Sequence, residues 1–299
     1  MRYVRLLVCA VLVCMLTTNV AFATEGGDPL ELNWIEGGTT VQVGELSTLK
    51  LDESLLYLDK EDTEELQLYF GNSLTGTELG SVFPVSEEET WFVLFEYEET
   101  GYISDKDKDK IDAKALLKSY KDGTNAANEE RPVEEQLYVT GWHTEPYYDE
   151  EDRTLVWALQ AEDYQKNSVI NYNVRILTRQ GYVSALLVTD ETTLEHDIQA
   201  LKQLILPNYI IESGFRYEDY DKSVDKKSEV GLTGLILGGA GLVAAKKAGL
   251  IAGALVLLKK FWFVLLVIPV AIWRWVKRKI SGKGKDSEEQ VEESHNNSQ

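Results

Sequence analysis

The chain runs to 299 residues, with 50 acidic against 30 basic side chains and a net charge of −20. The charge is uneven: residues 24–230 hold 45 Asp and Glu against 18 Lys and Arg, net −27, whereas residues 231–299 hold 5 against 10, net +5. A body so acidic and without a basic stripe is repelled by nucleic acid and anionic lipid, so no nucleic-acid binding is expected; cations, basic proteins and water are its natural neighbours.

The first 23 residues have the layout of a secretory signal: basic Arg2 and Arg5, an apolar run from Leu6 to Leu16, then Ala21-Phe22-Ala23, with cleavage expected after Ala23. That apolar run is too short to span roughly 30 Å of hydrocarbon. Both cysteines, Cys9 and Cys14, fall inside this segment. The mature chain is therefore expected to carry no disulfide, no cysteine nucleophile and no thiolate metal site.

An acidic extracytoplasmic domain is expected over residues 24–230, with its core in 30–213. Its early part reads as short strands at Thr39–Val43, Thr48–Leu51 and Leu55–Leu58, then a polar helix from Lys60 to Phe70 ending at Gly71-Asn72. In WFVLFEYE, Trp91, Val93, Phe95 and Tyr97 alternate with Phe92, Leu94, Glu96 and Glu98, the pattern of a strand buried on one face and half buried on the other. A helix from Ile111 to about Glu130 follows, its apolar positions at helical spacing, stopped by Arg131-Pro132. Strands are expected at Leu137–Trp142, Thr154–Gln160 and Val169–Leu177. A tight turn at Arg179-Gln180-Gly181 leads into Tyr182–Val188, and Thr192–Leu204 closes the domain as a helix capped by Thr192 or Thr193. Strands, helix, antiparallel meander and helix make an α+β sandwich in which helices cover an antiparallel sheet.

Between the two middle elements, GYISDKDKDKID sets Asp105, Asp107 and Asp109 at alternate positions, the only metal candidates the sequence offers. They fit positions 1, 3 and 5 of a calcium loop, but position 6 is Lys110 instead of glycine and position 12 is Leu116 instead of a bidentate glutamate. The competing reading is that Asp109 or Asp112 caps the helix beginning near Ile111, and the spacing favours it. Glu96 and Glu98 project from one strand face at the spacing of an acid/base pair, in a domain where chance supplies many such pairs. His143 and His196 stand in no metalloprotease spacing, and no serine elbow, phosphate loop or dinucleotide fingerprint is present. No catalytic residue and no cofactor is assigned.

The segment GWHTEPYYDEEDRTLVWAL gathers Trp142, His143, Tyr147, Tyr148, Arg153 and Trp157 around a proline turn. Five of these, Trp142, His143, Tyr147, Tyr148 and Arg153, are the candidate binding residues, because aromatic rings offer apolar area with polar tips. The competing reading is a hairpin packed by its own aromatics, with Trp142 and Trp157 in the core; the alternation of Trp157 with Leu155 and Leu159 favours it.

From Gly231 to Val276 the chain turns apolar, interrupted by Lys246-Lys247 and Lys259-Lys260. A single transmembrane helix is expected over about 248–275, preceded by an interfacial helix at 231–245, with Trp262, Trp273 and Trp275 at the interfaces. Arg274 and the lysines after it mark a cytoplasmic, disordered tail at 277–299, which gives a type I arrangement with the main domain outside. Gly241, Ala245, Gly249 and Gly253 recur every fourth position and suit self-association of two helices, although glycine is common in membrane helices anyway.

The order of elements resembles that of the photosystem oxygen-evolving P protein and its Mog-type relatives, a likeness of pattern that implies no chemistry. More specifically, TWFVLFEYEETGYISDKDKDKIDAKALLKSYKDGTNAANEER, then VTGWHTEPYYDEEDRTLVWAL, INYNVRILTRQGY and GFRYEDYDKSVDK, ahead of a Gly/Ala/Lys-rich segment, resemble the membrane-anchored prokaryotic family catalogued as domain of unknown function two-one-six-seven. The matched blocks fall in order across roughly residues 45–275. The resemblance implies a prokaryotic cell-envelope protein with an extracytoplasmic domain and a C-terminal anchor, and it implies no activity. This chain departs from the family pattern at Glu145-Pro146, where relatives carry two prolines, and at Arg153, where a histidine is common, so a catalytic histidine is not expected there. The function expected is a binding, sensing or interaction module whose partner is an envelope protein or a cation. The alternative is an envelope hydrolase using carboxylates and His143.

Overall fold

Described in the structure, a computed structural model, are residues 30–129 and 131–238. The expected signal segment, the membrane span at 248–275, the small-residue positions 241, 245, 249 and 253, and the tail all lie outside them. Among the described residues no helix is long and apolar enough to cross a membrane.

Eight strands form an antiparallel sheet in the order β1 (Ile35–Glu36), β4 (Leu55–Leu58), β5 (Glu78–Pro84), β6 (Phe92–Glu98), β10 (Tyr182–Val188), β9 (Ser168–Leu177), β8 (Thr154–Asp163) and β7 (Leu137–Asp149). A second sheet of three strands pairs β11 (Tyr209–Ile211), β3 (Ser47–Lys50) and β2 (Thr40–Val43). The α+β class holds, but two of the expected early strands leave the main sheet, so one of its faces is covered by strands as well as by a helix.

Strict alternation sorts the side chains between two cores. On the first face, Tyr57, Val82, Val93, Phe95, Val183, Ala185, Val174 and Val156 meet the small sheet and α3 (Leu194–Ala200) through Leu49, Tyr209, Leu194 and Ile198. On the second face, Leu155, Trp157, Leu177 and Tyr182 meet α2 (Ala113–Asn128), Ile103, Tyr217 and the short α4 (Leu232–Ile236). Because Val230, Leu232, Leu235 and Ile236 are buried there, the core extends past residue 213. The start of the expected interfacial helix is thus part of the domain's interior.

Local chemistry accounts for the boundaries. Asp59 caps α1 (Lys60–Tyr69) by accepting from the Asp62 amide, and Asp112 caps α2 by accepting from the Ala115 amide at 2.9 Å. Thr193 occupies the N-cap position of α3 without capping it; its hydroxyl donates instead to Asp197 Oδ2 at 2.7 Å. The helix expected through Leu204 ends at Ala200 and continues as a π-turn, Leu201–Ile205. β7 continues to Asp149 despite Pro146, because it is an edge strand whose register shifts at three places, and an edge tolerates a missing N–H.

Candidate functional site

The register of the main sheet lines up one transverse row of residues on the second face. Glu78 of β5 pairs with Glu96 of β6, Glu96 with Ser184 of β10, Ser184 with Arg175 of β9, Arg175 with Leu155 of β8, and Leu155 with Tyr148 of β7. Cross-strand neighbours on one face are the closest side-chain pairs a sheet makes. Here they bring two carboxylates, a hydroxyl and a guanidinium into the middle of a domain.

These groups are buried: Glu78 is 2%, Glu96 8%, Ser184 1% and Arg175 4% exposed. Thr75 Oγ1 stands 2.9 Å from Glu78 Oε1 and 3.2 Å from Glu96 Oε1, and its single proton can serve only one of them at a time. The environments then separate the two acids. Burial opposes ionisation of Glu78, but the backbone of Thr75, its own N–H and that of Gly76 outweigh it and hold the group below the usual carboxylate range. Burial pushes Glu96 up, Arg175 offsets part of the rise and Glu78 adds to it.

Arg175 donates to the Ser184 hydroxyl, while its Nε is buried with no hydrogen-bond partner. Its guanidinium lies 5.3 Å from the Trp157 ring centroid and 5.4 Å from that of Tyr182. Two aromatic faces and the charge of Glu96 take the place of a direct carboxylate partner. The sequence marks Glu96 as a strand carboxylate, but nothing in a single strand reveals that Arg175 and Ser184 stand beside it, since that depends on register across three strands.

At the β7 end the row meets residues singled out by sequence. Asp105 Oδ2 lies 3.4 Å from Arg153 Nη1 and 3.5 Å from the Tyr148 hydroxyl, and Arg153 Nε donates to Glu218 Oε1 at 3.0 Å. Arg153 sits in the β7–β8 turn at φ +54°, a left-handed conformation that costs a residue with a Cβ about 1–2 kcal/mol. Its guanidinium stacks 5.3 Å from the Tyr217 ring centroid. Tyr102 stacks in turn between Tyr217 and Tyr220, at 4.7 and 3.8 Å between centroids. Burial pushes the Tyr148 phenol up to about 12, although Arg153 works against the rise.

The structure therefore brings together Tyr148, Arg153 and Asp105 but divides the rest of the expected aromatic cluster between both faces of β7. Trp142 donates to the Ala113 carbonyl at 2.9 Å and packs edge-on against Tyr120, under α2. His143 lies across the sheet, with Nε2 3.2 Å from Glu195 of α3. Tyr147 faces Tyr172, a residue of the first core.

The three aspartates of the loop also diverge. Asp105 turns to Arg153 and Tyr148, whereas Asp107 Oδ1 accepts from the Leu232 amide at 3.4 Å, at the start of α4. Asp109 is exposed in a single 3-10 turn, Lys108–Lys110. Of the two capping candidates it is Asp112 that caps α2. Among the described residues the group of metal-ligating side chains that does converge is a different one, Glu89, His196 and Asp197.

No curated protein matches the sequence. Among solved structures, the chain is similar to the solution structure of cyanobacterial PsbP (CyanoP) from Synechocystis sp. PCC 6803, at 11% identity over 64% of this chain and 99% of that one. The TM-score of that likeness is 0.32. The family described as protein of unknown function (DUF2167) matches residues 35–270, a stretch that contains the whole main sheet and both cores, and the chain belongs to that family.

Proposed function

We propose that the chain is a membrane-tethered extracytoplasmic module of the cell envelope that binds a partner and relays its presence to the apolar C-terminal segment. The support is the way the loop carrying Asp105 is sewn to the strip that leads into that segment. Tyr102 N–H donates to the Lys226 carbonyl at 2.9 Å, and Ser228 N–H to the Tyr102 carbonyl at 2.8 Å. Asp107 then receives the Leu232 amide, and Tyr120 of α2 donates to the Ile236 carbonyl. The loop that carries Asp105, beside Tyr148 and Arg153, thus holds through Asp107, together with Tyr120 of α2, the last described helix before the apolar run.

Hydrogen exchange on the full-length chain in membranes tests the relay. Arg153→Ala frees Asp105 and Glu218, and exchange at the Leu232 and Leu235 amides is expected to quicken while β9 and β10 stay protected. Unchanged exchange at those two amides would refute the relay.

A second reading, an envelope hydrolase, draws on Glu78 and Glu96, which meet at Thr75 with their proton affinities pushed apart as an acid and a base would be. His143 lies on the opposite face, so such a reaction would run on the carboxylates without it. Turnover abolished by Glu96→Gln in a substrate screen would favour this reading over the first.

A further inference from the structure

Glu89 sits in the turn between β5 and β6, and His196 and Asp197 follow one another on α3. His196 Nδ1 lies 3.1 Å from Asp197 Oδ1 and 3.7 Å from Glu89 Oε1. One donor atom from each of the three residues lies within 4.8 Å of the other two. Donors bound at about 2.0–2.1 Å in a tetrahedron stand about 3.3 Å apart, so two edges of such a figure are already close to length.

Both carboxylates are held in place, Asp197 through the oxygen turned away from the imidazole and Glu89 through the oxygen that faces it. Asp197, its side chain only 2% exposed, accepts from the Thr189 and Thr193 hydroxyls through Oδ2, which leaves Oδ1 turned towards the imidazole. Glu89 Oε1 accepts from the indole N–H of the buried Trp91 at 3.2 Å. Carboxylates that bind metals are oriented by this kind of outer hydrogen bonding. One imidazole N–H facing two carboxylates reaches both only as a weakened three-centre bond, whereas a divalent ion would bind one atom of each of the three groups directly. The His196 side chain is 69% exposed, which leaves an entry path and room for a water as fourth ligand.

The geometry points to a Zn²⁺ site formed by Glu89, His196 and Asp197, open to solvent at its fourth position. One imidazole and two carboxylates suit Zn²⁺ or a neighbouring first-row ion, whereas Ca²⁺ and Mg²⁺ take oxygen ligands alone. Two of the ligands are adjacent in sequence and the third is supplied by a distant turn, a spacing that matches no linear metal motif.

The test is calorimetric titration of the metal-stripped full-length chain with ZnCl₂, together with the visible spectrum of the Co²⁺ form. One Zn²⁺ per chain is expected, with tetrahedral Co²⁺ absorption and no competition from Ca²⁺. Glu89→Gln and His196→Ala, both at accessible positions, are each expected to weaken binding by at least about ten-fold, and His143→Ala to leave it unchanged. Asp197→Asn removes a buried group, so its melting curve is recorded alongside and a folded variant is expected to lose the site. Absence of Zn²⁺ binding, or binding undiminished in both Glu89→Gln and His196→Ala, would overturn the proposal; so would transfer of the effect to His143→Ala.

Discussion

Arg175→Met is the sharpest perturbation of the buried row. Methionine keeps much of the side-chain volume and its flexible stem fills the space between Trp157 and Tyr182, so the change is chiefly in charge. It leaves Glu96, 8% exposed and next to Glu78, without the positive charge that offsets its burial. Arg175 donates to Ser184 and acts on Glu96 through space, so its loss costs less than breaking a direct buried ion pair, about 1–3 kcal/mol. For a domain of this size that corresponds to a fall in melting temperature of roughly 2–12 °C, read by near-ultraviolet circular dichroism on the full-length chain. If the cost is the stranded carboxylate, the double variant Arg175→Met/Glu96→Gln recovers at least about 1 kcal/mol relative to the sum of the single changes. The pH profile carries the same signature. Glu96 holds its proton to higher pH in the folded chain than in the unfolded one, whose ordinary value is about 4.3. Stability therefore falls as pH rises from the unfolded value to the raised folded one, then levels off. Arg175→Met lifts Glu96 further and extends that fall to higher pH. Strict additivity in the double variant, together with an unchanged profile, would refute the electrostatic account of the row.

Asp112→Ala removes the side chain that accepts from the Ala115 amide and is expected to cost about 1 kcal/mol, seen as a small drop in the urea midpoint at unchanged slope. Arg153 combines a left-handed backbone with three contacts, so Arg153→Gly and Arg153→Ala should differ; glycine, free of the φ penalty, is expected to be the more stable by about 1 kcal/mol in thermal unfolding. Calcium at sub-millimolar concentration is expected to leave the melting temperature unchanged, because Asp105 and Asp107 turn to different partners; a stabilisation abolished by Asp107→Asn would contradict this.

Much of the sheet was legible because alternation is a strong signal when each face is buried against something different. WFVLFEYE, INYNVRIL and YVSALLV each divide cleanly, Val93 and Phe95 to one core, Glu96 to the other. The strands that stayed hidden carry residues that argue against a strand. β5 contains Gly80 at a register shift and ends on Pro84, both of which a central strand normally lacks; here the glycine marks the bulge beside Glu78. β11 is three residues long and follows Pro207, too short for any period to show. The candidate residues divide in the same way. Asp105, Tyr148 and Arg153 could be found because each is conspicuous in its own loop or strand. Arg175 could not, because its meaning comes from facing Ser184 and Glu96 across the sheet. The aromatic segment at 142–148 misled because it is strand and not the proline turn expected after Trp142: plain alternation sends Trp142 and Tyr148 to one face and His143 and Tyr147 to the other.

The claim on which the rest depends is that an acidic body stands outside the cytosol and is held there by the apolar run that follows it. Protease treatment of intact cells expressing the full-length chain, followed by membrane fractionation and N-terminal sequencing, tests it directly. The account predicts a membrane-bound chain that begins after Ala23 and loses its 24–230 region to external protease once any outer barrier is opened. A soluble, protected chain that retains Met1–Ala23 would contradict it.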